Sequence, residues 1–191
     1  MKKILFISTR PIFPVLGGDQ IRTVQQLKFL LQRYMVDIIY LYSDNKNDNL
    51  LKASLSEINN IKSFRLPRWK SCLYTLRFLI NTLPLQVNYY YDTNLKRYID
   101  KHALEYDAIF CNNIRTAEYA KNLTGIIKYI DFVDAISMNY EKAWKRAHGV
   151  KKIIYWIDYK RCREYEKKVL ATFDSCAIIS DVDKQYILNV E

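Results

Sequence analysis

The sequence contains few of the residues that build metal and redox sites. It has two histidines, His102 and His148, and four cysteines that lie far apart without a C-x-x-C pair. Two histidines are too few for a histidine-rich metal site. The cysteine spacing and the absence of a signal peptide pattern indicate reduced thiols in a cytosolic protein.

Long apolar runs and nucleic-acid motifs are also lacking. The longest candidate span, residues 72–87, is interrupted by Arg77, Asn81 and Pro84, so we predict no membrane-spanning segment. The 16 tyrosines are scattered and form no RNP-like motif, so we predict no nucleic-acid partner. The sequence has no internal repeat and no low-complexity tract.

The composition is that of one globular domain. The chain has 191 residues, of which 50% are hydrophobic and 26% charged. This length buries most of its apolar surface without disulfides or metals.

Positive charge is concentrated in two segments of a chain whose net charge is +10. Residues 62–77 carry five basic and no acidic residues, and residues 141–168 carry ten basic and four acidic residues. Such segments attract phosphates or an anionic membrane surface, or they are solvated helix faces. The segment 69–83 is predicted as one amphipathic helix that either lies on a bilayer or packs as an ordinary domain helix.

Short apolar runs alternate with helical patterns along the chain, which predicts an α/β fold. We expect a Rossmann-like, doubly wound, mainly parallel sheet of at least six strands flanked by helices, with the first strand central. The predicted strands are residues 4–7, 36–42, 61–66, 106–112, 126–130 and 173–180. The predicted helices are residues 20–34, 50–58, 69–83, 92–104, 116–122, 135–147, 153–170 and 184–191, with Asp19 and Asp92 as N-caps.

The first strand and first helix are joined by a loop that contains Gly17 and Gly18. Paired glycines let a ligand approach the backbone, and a helix N-terminus favours anions. The loop has neither the G-x-G-x-x-G nor the P-loop pattern, so a tight turn that binds nothing is an equal alternative.

Polar side chains follow two later strands of the predicted sheet. Asn112 and Arg115 follow the fourth strand, and Asp131 and Asp134 follow the fifth. Ligands of open α/β sheets bind outside the carboxyl ends of the strands. We expect Asp131 to be an exposed carboxylate that either orients a sugar hydroxyl or acts in proton transfer. We expect Asp134 either to cap the next helix or to join the site.

Three blocks of sequence resemble family-4 glycosyltransferases, which have the two-domain GT-B fold. They are the loop PVLGGDQIR at residues 14–22, the D-x-x-D-x-x-S run at 131–137, and the R-x-Y-E, F-D and S-x-x-D pattern between Arg163 and Asp183. Many members of the family have a histidine near residue 131, which this sequence lacks. The middle of the chain matches in pattern only.

The resemblance implies that residues 1–191 form a single N-terminal, acceptor-side domain, with the nucleotide-sugar domain and its E-x7-E motif absent from the chain. The full-length enzyme would be a retaining transferase of cell-surface polysaccharide synthesis, with no cofactor or metal besides its nucleotide-sugar donor.

Under this resemblance the site residues take separate roles. Gly17, Gly18 and Arg22 form a donor-phosphate loop, and Asp131 is catalytic. The remaining site residues, Asn112, Arg115 and Asp134, line the acceptor side. The acceptor is a glycan or lipid-linked glycan at the inner face of the cell membrane, and the chain alone is expected to be inactive. A GT-B nucleotide-sugar epimerase half and a non-enzymatic α/β binding module remain alternatives.

Overall fold

The computed structural model describes residues 1–188 as a six-stranded parallel sheet with helices on both faces. The strands are β1 (Lys3–Ser8), β2 (Met35–Tyr42), β3 (Asn60–Arg65), β4 (Ala108–Asn112), β5 (Ile127–Asp131) and β6 (Ser175–Ala177). Their order is β3-β2-β1-β4-β5-β6, and every neighbouring pair is parallel. The predicted fold class and the central position of the first strand are confirmed, while the sixth strand is shorter than residues 173–180.

The helices that connect these strands are interspersed with short 3-10 turns. They are α1 (Gly18–Leu31), α2 (Asp48–Ser54), α3 (Arg68–Thr75), α4 (Leu85–Tyr89), α5 (Thr93–His102), α6 (Ala117–Ala120), α7 (Ile136–Arg146), α8 (Gly149–Thr172) and α9 (Asp181–Leu188). The 3-10 turns cover Leu76–Leu79, Ala103–Glu105 and Ile114–Thr116. The end of the last predicted helix, residues 189–191, lies outside the described residues.

The two faces of β1 pack into two separate hydrophobic cores. Leu5 and Ile7 face one core, and Ile4 and Phe6 face the other. Alternate residues of a strand point to opposite faces of the sheet. An unbroken apolar run is therefore what a parallel strand covered on both sides requires.

The predicted helix over residues 69–83 is wrong, because the segment is divided. Helix α3 ends at Thr75 and gives way to the 3-10 turn Leu76–Leu79. The Phe78 carbonyl accepts a 2.7 Å hydrogen bond from Arg161 Nη1 of α8, a tertiary contact that competes with helical pairing. Pro84 does not end a long helix but stands at the N-cap of α4.

The two predicted helix caps have different outcomes. The carboxylate of Asp92 accepts 2.9 Å bonds from the backbone N–H groups of Asn94 and Leu95, so this N-cap is confirmed. Asp19 is not an N-cap, because Gly17 occupies that position and α1 already begins at Gly18.

Helix α8 begins earlier than predicted, at Gly149 rather than residue 153. No helix within residues 1–188 is both long enough and apolar enough to cross a bilayer.

Candidate functional site

A cleft opens between the carboxyl ends of β1 and β4, where the strand order reverses. Its lining includes Thr9 and Arg10 after β1, Asn112 at the end of β4 with Arg115 beyond it, and Val133 after β5. In open α/β sheets, ligands bind at this topological switch point. We call this region the switch-point cleft.

Two arginines converge on the switch-point cleft. Arg115 donates from Nε to Gln86 Oε1 at 2.7 Å, and its guanidinium lies 5.2 Å from the centre of the Tyr90 ring. Arg10 forms an ion pair with Asp19. Burial, together with the positive charge of Arg115, lowers the pKa of Arg10 from its ordinary value. An anion bound beside the two guanidinium groups would relieve their mutual repulsion.

The glycine loop borders the same region at the N-terminus of α1. The Gly17 carbonyl accepts 3.1 Å bonds from the N–H groups of Gln20 and Ile21, so helical bonding starts there. The Gln20 side chain fastens the loop, since its Oε1 accepts from Leu16 N–H at 2.7 Å and its Nε2 donates to the Pro11 carbonyl at 3.2 Å.

Neither glycine of the loop is required by the fold. A Cβ at Gly18 would meet no atom within 4 Å, and one at Gly17 would meet only the side-chain oxygen of Asp19 at 3.2 Å. Neither residue has a positive φ. The open space beside Gly18 leaves room for a ligand to reach the backbone.

The carboxylate of Asp131, at the end of β5, is fully buried, so its predicted exposure is wrong. Its Oδ2 accepts from Arg22 Nε at 2.7 Å, and its Oδ1 accepts from Arg22 Nη2 at 3.1 Å. Oδ2 also accepts from Gln26 Nε2, and Oδ1 accepts from Val133 N–H at 3.1 Å. This bidentate pair fixes α1 against the end of β5 and raises the pKa of Arg22.

Val133 occupies a strained turn directly after Asp131. Its φ is +68°, and Asp134 N–H donates to the Phe132 carbonyl at 2.8 Å, which closes a γ-turn. A β-branched residue in this region costs about 1–3 kcal/mol, and such strain clusters at functional sites. Asn113, directly after β4, has a φ of +79°. Both strained residues line the switch-point cleft.

The remaining predicted residues lie at the same edge of the sheet in different settings. Asn112 donates from Nδ2 to Thr23 Oγ1 at 3.0 Å and lines the cleft. Asp134 accepts from Asn139 Nδ2 at 2.7 Å and does not cap α7, whose N-cap is Ala135. The structure thus brings Asn112 and Arg115 into one cleft. The other predicted site residues do not line it: Gly17, Gly18, Arg22, Asp131 and Asp134.

Arg10 and Pro11 also line a neighbouring cavity of about 170 Å³ at the ends of β2 and β3. Its other walls include Tyr42, Tyr89 and Tyr90. Because Arg10 lines both spaces, the cavity lies next to the switch-point cleft. Aromatic and hydroxyl groups beside a cationic cleft suit a ligand that has apolar and polar faces.

A second buried carboxylate, Glu166 of α8, lies at the N-terminus of α7. It accepts from Ser137 N–H at 3.0 Å and from the Ser137 hydroxyl. Burial raises the pKa of Glu166 to about 7, although the bonds from Ser137 act in the opposite direction. Glu166 therefore changes charge near neutral pH.

Sequence reasoning missed Arg10, Gln26 and Val133. Arg10 follows a buried strand, and that position could have identified it as a site candidate. Gln26 lies one turn after Arg22 on the same helix face, a spacing that could have predicted a shared partner. Nothing in the sequence indicates the positive φ of Val133.

Solved structures of other proteins resemble this chain. No protein-family model and no curated protein matches the chain. A structure of Phytolacca americana UGT2 with UDP-2fluoro-glucose and pterostilbene is similar at a TM-score of 0.48 and 11% sequence identity. The match covers 94% of this chain and 48% of that chain, so this chain spans about half the length of that protein.

Proposed function

We propose that this chain is the acceptor-side, N-terminal domain of a family-4-like glycosyltransferase with the GT-B fold. The complete enzyme moves a sugar from a nucleotide-sugar to a glycan or lipid-linked acceptor in cell-surface polysaccharide synthesis. A second domain outside residues 1–191 supplies most contacts to the nucleotide. The reaction retains anomeric configuration, requires no metal, and takes place on the cytoplasmic side of the membrane.

The observation that carries this proposal is the convergence of Arg10 and Arg115 at the switch point. Their charges face the position where Rossmann-like domains bind ligands. The nearby N-terminus of α1 adds backbone N–H groups and about half a positive charge. Together these groups favour the phosphates of a nucleotide-sugar or of a phosphorylated acceptor.

The individual residues then take distinct roles. In place of the acceptor side we assign Arg115 to the donor diphosphate, together with Gly17 and Gly18. Asn112 and Asp134 line the acceptor side. In place of proton transfer we assign Asp131 a positioning role, because its carboxylate is buried and accepts bonds from Arg22, Gln26 and Val133. Arg22 likewise holds α1 in place rather than contacting the substrate.

Backbone amide NMR of the 191-residue chain, titrated with diphosphate and with uridine and guanosine diphosphate sugars, tests the proposal. We expect weak, millimolar binding, because most donor contacts belong to the second domain, with shifts centred on Gly17, Gly18 and Arg115. Arg115→Gln should abolish these shifts. The control Arg33→Gln lies beyond the far end of α1 and stacks on Phe29 at 4.5 Å, so it should leave them unchanged.

Two results would contradict this division of labour. Micromolar binding of a nucleotide-sugar would mean that the chain already contains a complete donor site. Chemical-shift changes confined to residues outside the switch-point cleft would instead favour a non-enzymatic binding module. Such a module would bind its ligand through other basic surfaces.

A further inference from the structure

Large apolar side chains protrude along the segment that follows β3. Leu79 and Ile80 are 78% and 86% exposed. The other exposed members are Trp69, Leu73 and Leu76. Trp69 and Leu73 lie four residues apart and share one side of α3. Leu76, Leu79 and Ile80 continue this exposed apolar stripe through the 3-10 turn to its end.

A second exposed apolar stripe lies on the N-terminal half of α8. Val150, Ile153 and Ile154 are exposed there. Val150, Ile154, Ile157 and Arg161 follow one another at spacings of four, three and four residues, so they lie along one flank of the helix.

The two stripes meet at Arg161. Its Nη1 donates to the Phe78 carbonyl at 2.7 Å, and its guanidinium lies 3.8 Å from the centre of the Phe78 ring. The flank of α8 that contacts the 3-10 turn is therefore the flank that carries Ile154 and Val150. We call the combined surface, Trp69–Ile80 with Val150–Ile154, the basic apolar face.

Positive charge surrounds this face. Both segments lie within stretches without any aspartate or glutamate, residues 58–91 and residues 142–157. Lys151 and Lys152 are exposed beside the apolar side chains of α8, and the exposed Arg68 pairs with Asp44 at 3.3 Å. A surface that is apolar at its centre and basic at its margin is complementary to a bilayer with anionic headgroups.

We propose that the basic apolar face docks on an anionic lipid bilayer. Leu79, Ile80 and Trp69 enter the headgroup region, and the lysines at the start of α8 contact anionic lipid. Protein interfaces are depleted in lysine, so the lysine pair of α8 favours lipid over a protein partner. The inference does not depend on the transferase proposal, since it rests on a different surface.

Vesicle co-sedimentation of the 191-residue chain tests this docking. We expect binding to vesicles that mix phosphatidylglycerol with phosphatidylcholine, weaker binding at high salt, and little binding to pure phosphatidylcholine. Trp69 fluorescence should shift to shorter wavelength on binding, and the shift should be lost in Trp69→Phe.

Two pairs of variants separate the apolar and the charge contributions. Leu79→Asp with Ile80→Asp should lower the partition coefficient at least tenfold, whereas Leu104→Asp, a change at another exposed leucine, should not. Lys151→Glu with Lys152→Glu should also lower it at least tenfold. Lys167→Glu with Lys168→Glu makes the same change in net charge on the same helix, about 24 Å away, and should have little effect.

The inference is overturned by equal binding to neutral and anionic vesicles, or by wild-type binding of the Leu79→Asp, Ile80→Asp protein. It is equally overturned if the chain does not bind vesicles and light scattering shows a dimer that Leu79→Asp with Ile80→Asp dissociates. That result would assign the face to a second copy of the chain.

Discussion

Asp131→Asn removes the charge that holds Arg22 and should destabilise the domain. The carboxylate is fully buried and accepts hydrogen bonds from both Nε and Nη2 of Arg22. Breaking a buried ion pair by neutralising one partner costs about 3–5 kcal/mol. Because the Arg22 side chain is 30% exposed and can turn towards water, we expect the lower end, about 3 kcal/mol. For a domain of this size that lowers Tm by roughly 6–12 °C.

Urea and thermal unfolding of Asp131→Asn, Asp134→Asn, Arg22→Ala and the Arg22→Ala, Asp131→Asn double variant measure this effect. Asp134→Asn is the control, since its carboxylate lies three residues along the chain and accepts one side-chain bond from Asn139. It should change stability by less than about 0.5 kcal/mol. In an Arg22→Ala background, Asp131→Asn should cost at least 1 kcal/mol less than in the wild type, because the pair is already broken. The reasoning is refuted if Asp131→Asn has the same Tm as the wild type. It is also refuted if the substitution lowers the free energy of unfolding by the same amount in both backgrounds.

Three further predictions concern Glu166, Gly18 and Val133. Because the pKa of Glu166 is raised from 4.5 to about 7, its stabilising contribution is full below pH 4.5 and is lost as pH rises through 7. Glu166→Gln should remove this dependence, which amounts to roughly 3 kcal/mol, in unfolding measured across pH; an unchanged pH profile would contradict it. Gly18→Val should leave Tm within about 2 °C, since its Cβ meets open space, yet weaken diphosphate binding about tenfold by NMR titration; unaltered binding would remove the glycine from the site. Val133→Gly should raise stability by about 1 kcal/mol by relieving the positive φ, and a lower Tm would show that the side chain contributes more than the strain costs.

The sheet could be predicted because its signals are local. The apolar runs of β1, β2 and β4 show strands buried on both faces, and the helical spacing after Gly18 shows α1. The rules that govern connections between parallel strands then leave few possible topologies for the sheet.

The break after α3 could not be predicted, because its cause is distant in sequence. The spacing of Leu73, Leu76 and Ile80 is helical. The contact that competes with helix formation comes from Arg161, more than eighty residues further along.

The positions of the site residues were predicted better than their chemical environments. Asn112 and Arg115 follow a strand and do line the cleft. The burial of Asp131 depends on Arg22, 109 residues earlier in the chain, and no local pattern shows such a pairing. Arg10 and Arg115 likewise come close only because β1 and β4 are neighbouring strands. No local pattern in the sequence shows that pairing.

A sugar-transfer assay on the complete protein that contains this chain tests the central proposal most directly. Labelled uridine, guanosine, adenosine and thymidine diphosphate sugars are supplied with lipid-linked and free glycan acceptors. We predict transfer from at least one donor, with kcat/KM reduced at least tenfold by Arg10→Gln combined with Arg115→Gln, and unchanged by Arg33→Gln. Absence of transfer from every donor, or full activity in the double variant, would contradict the proposal that the switch-point cleft forms half of a glycosyl-transfer site.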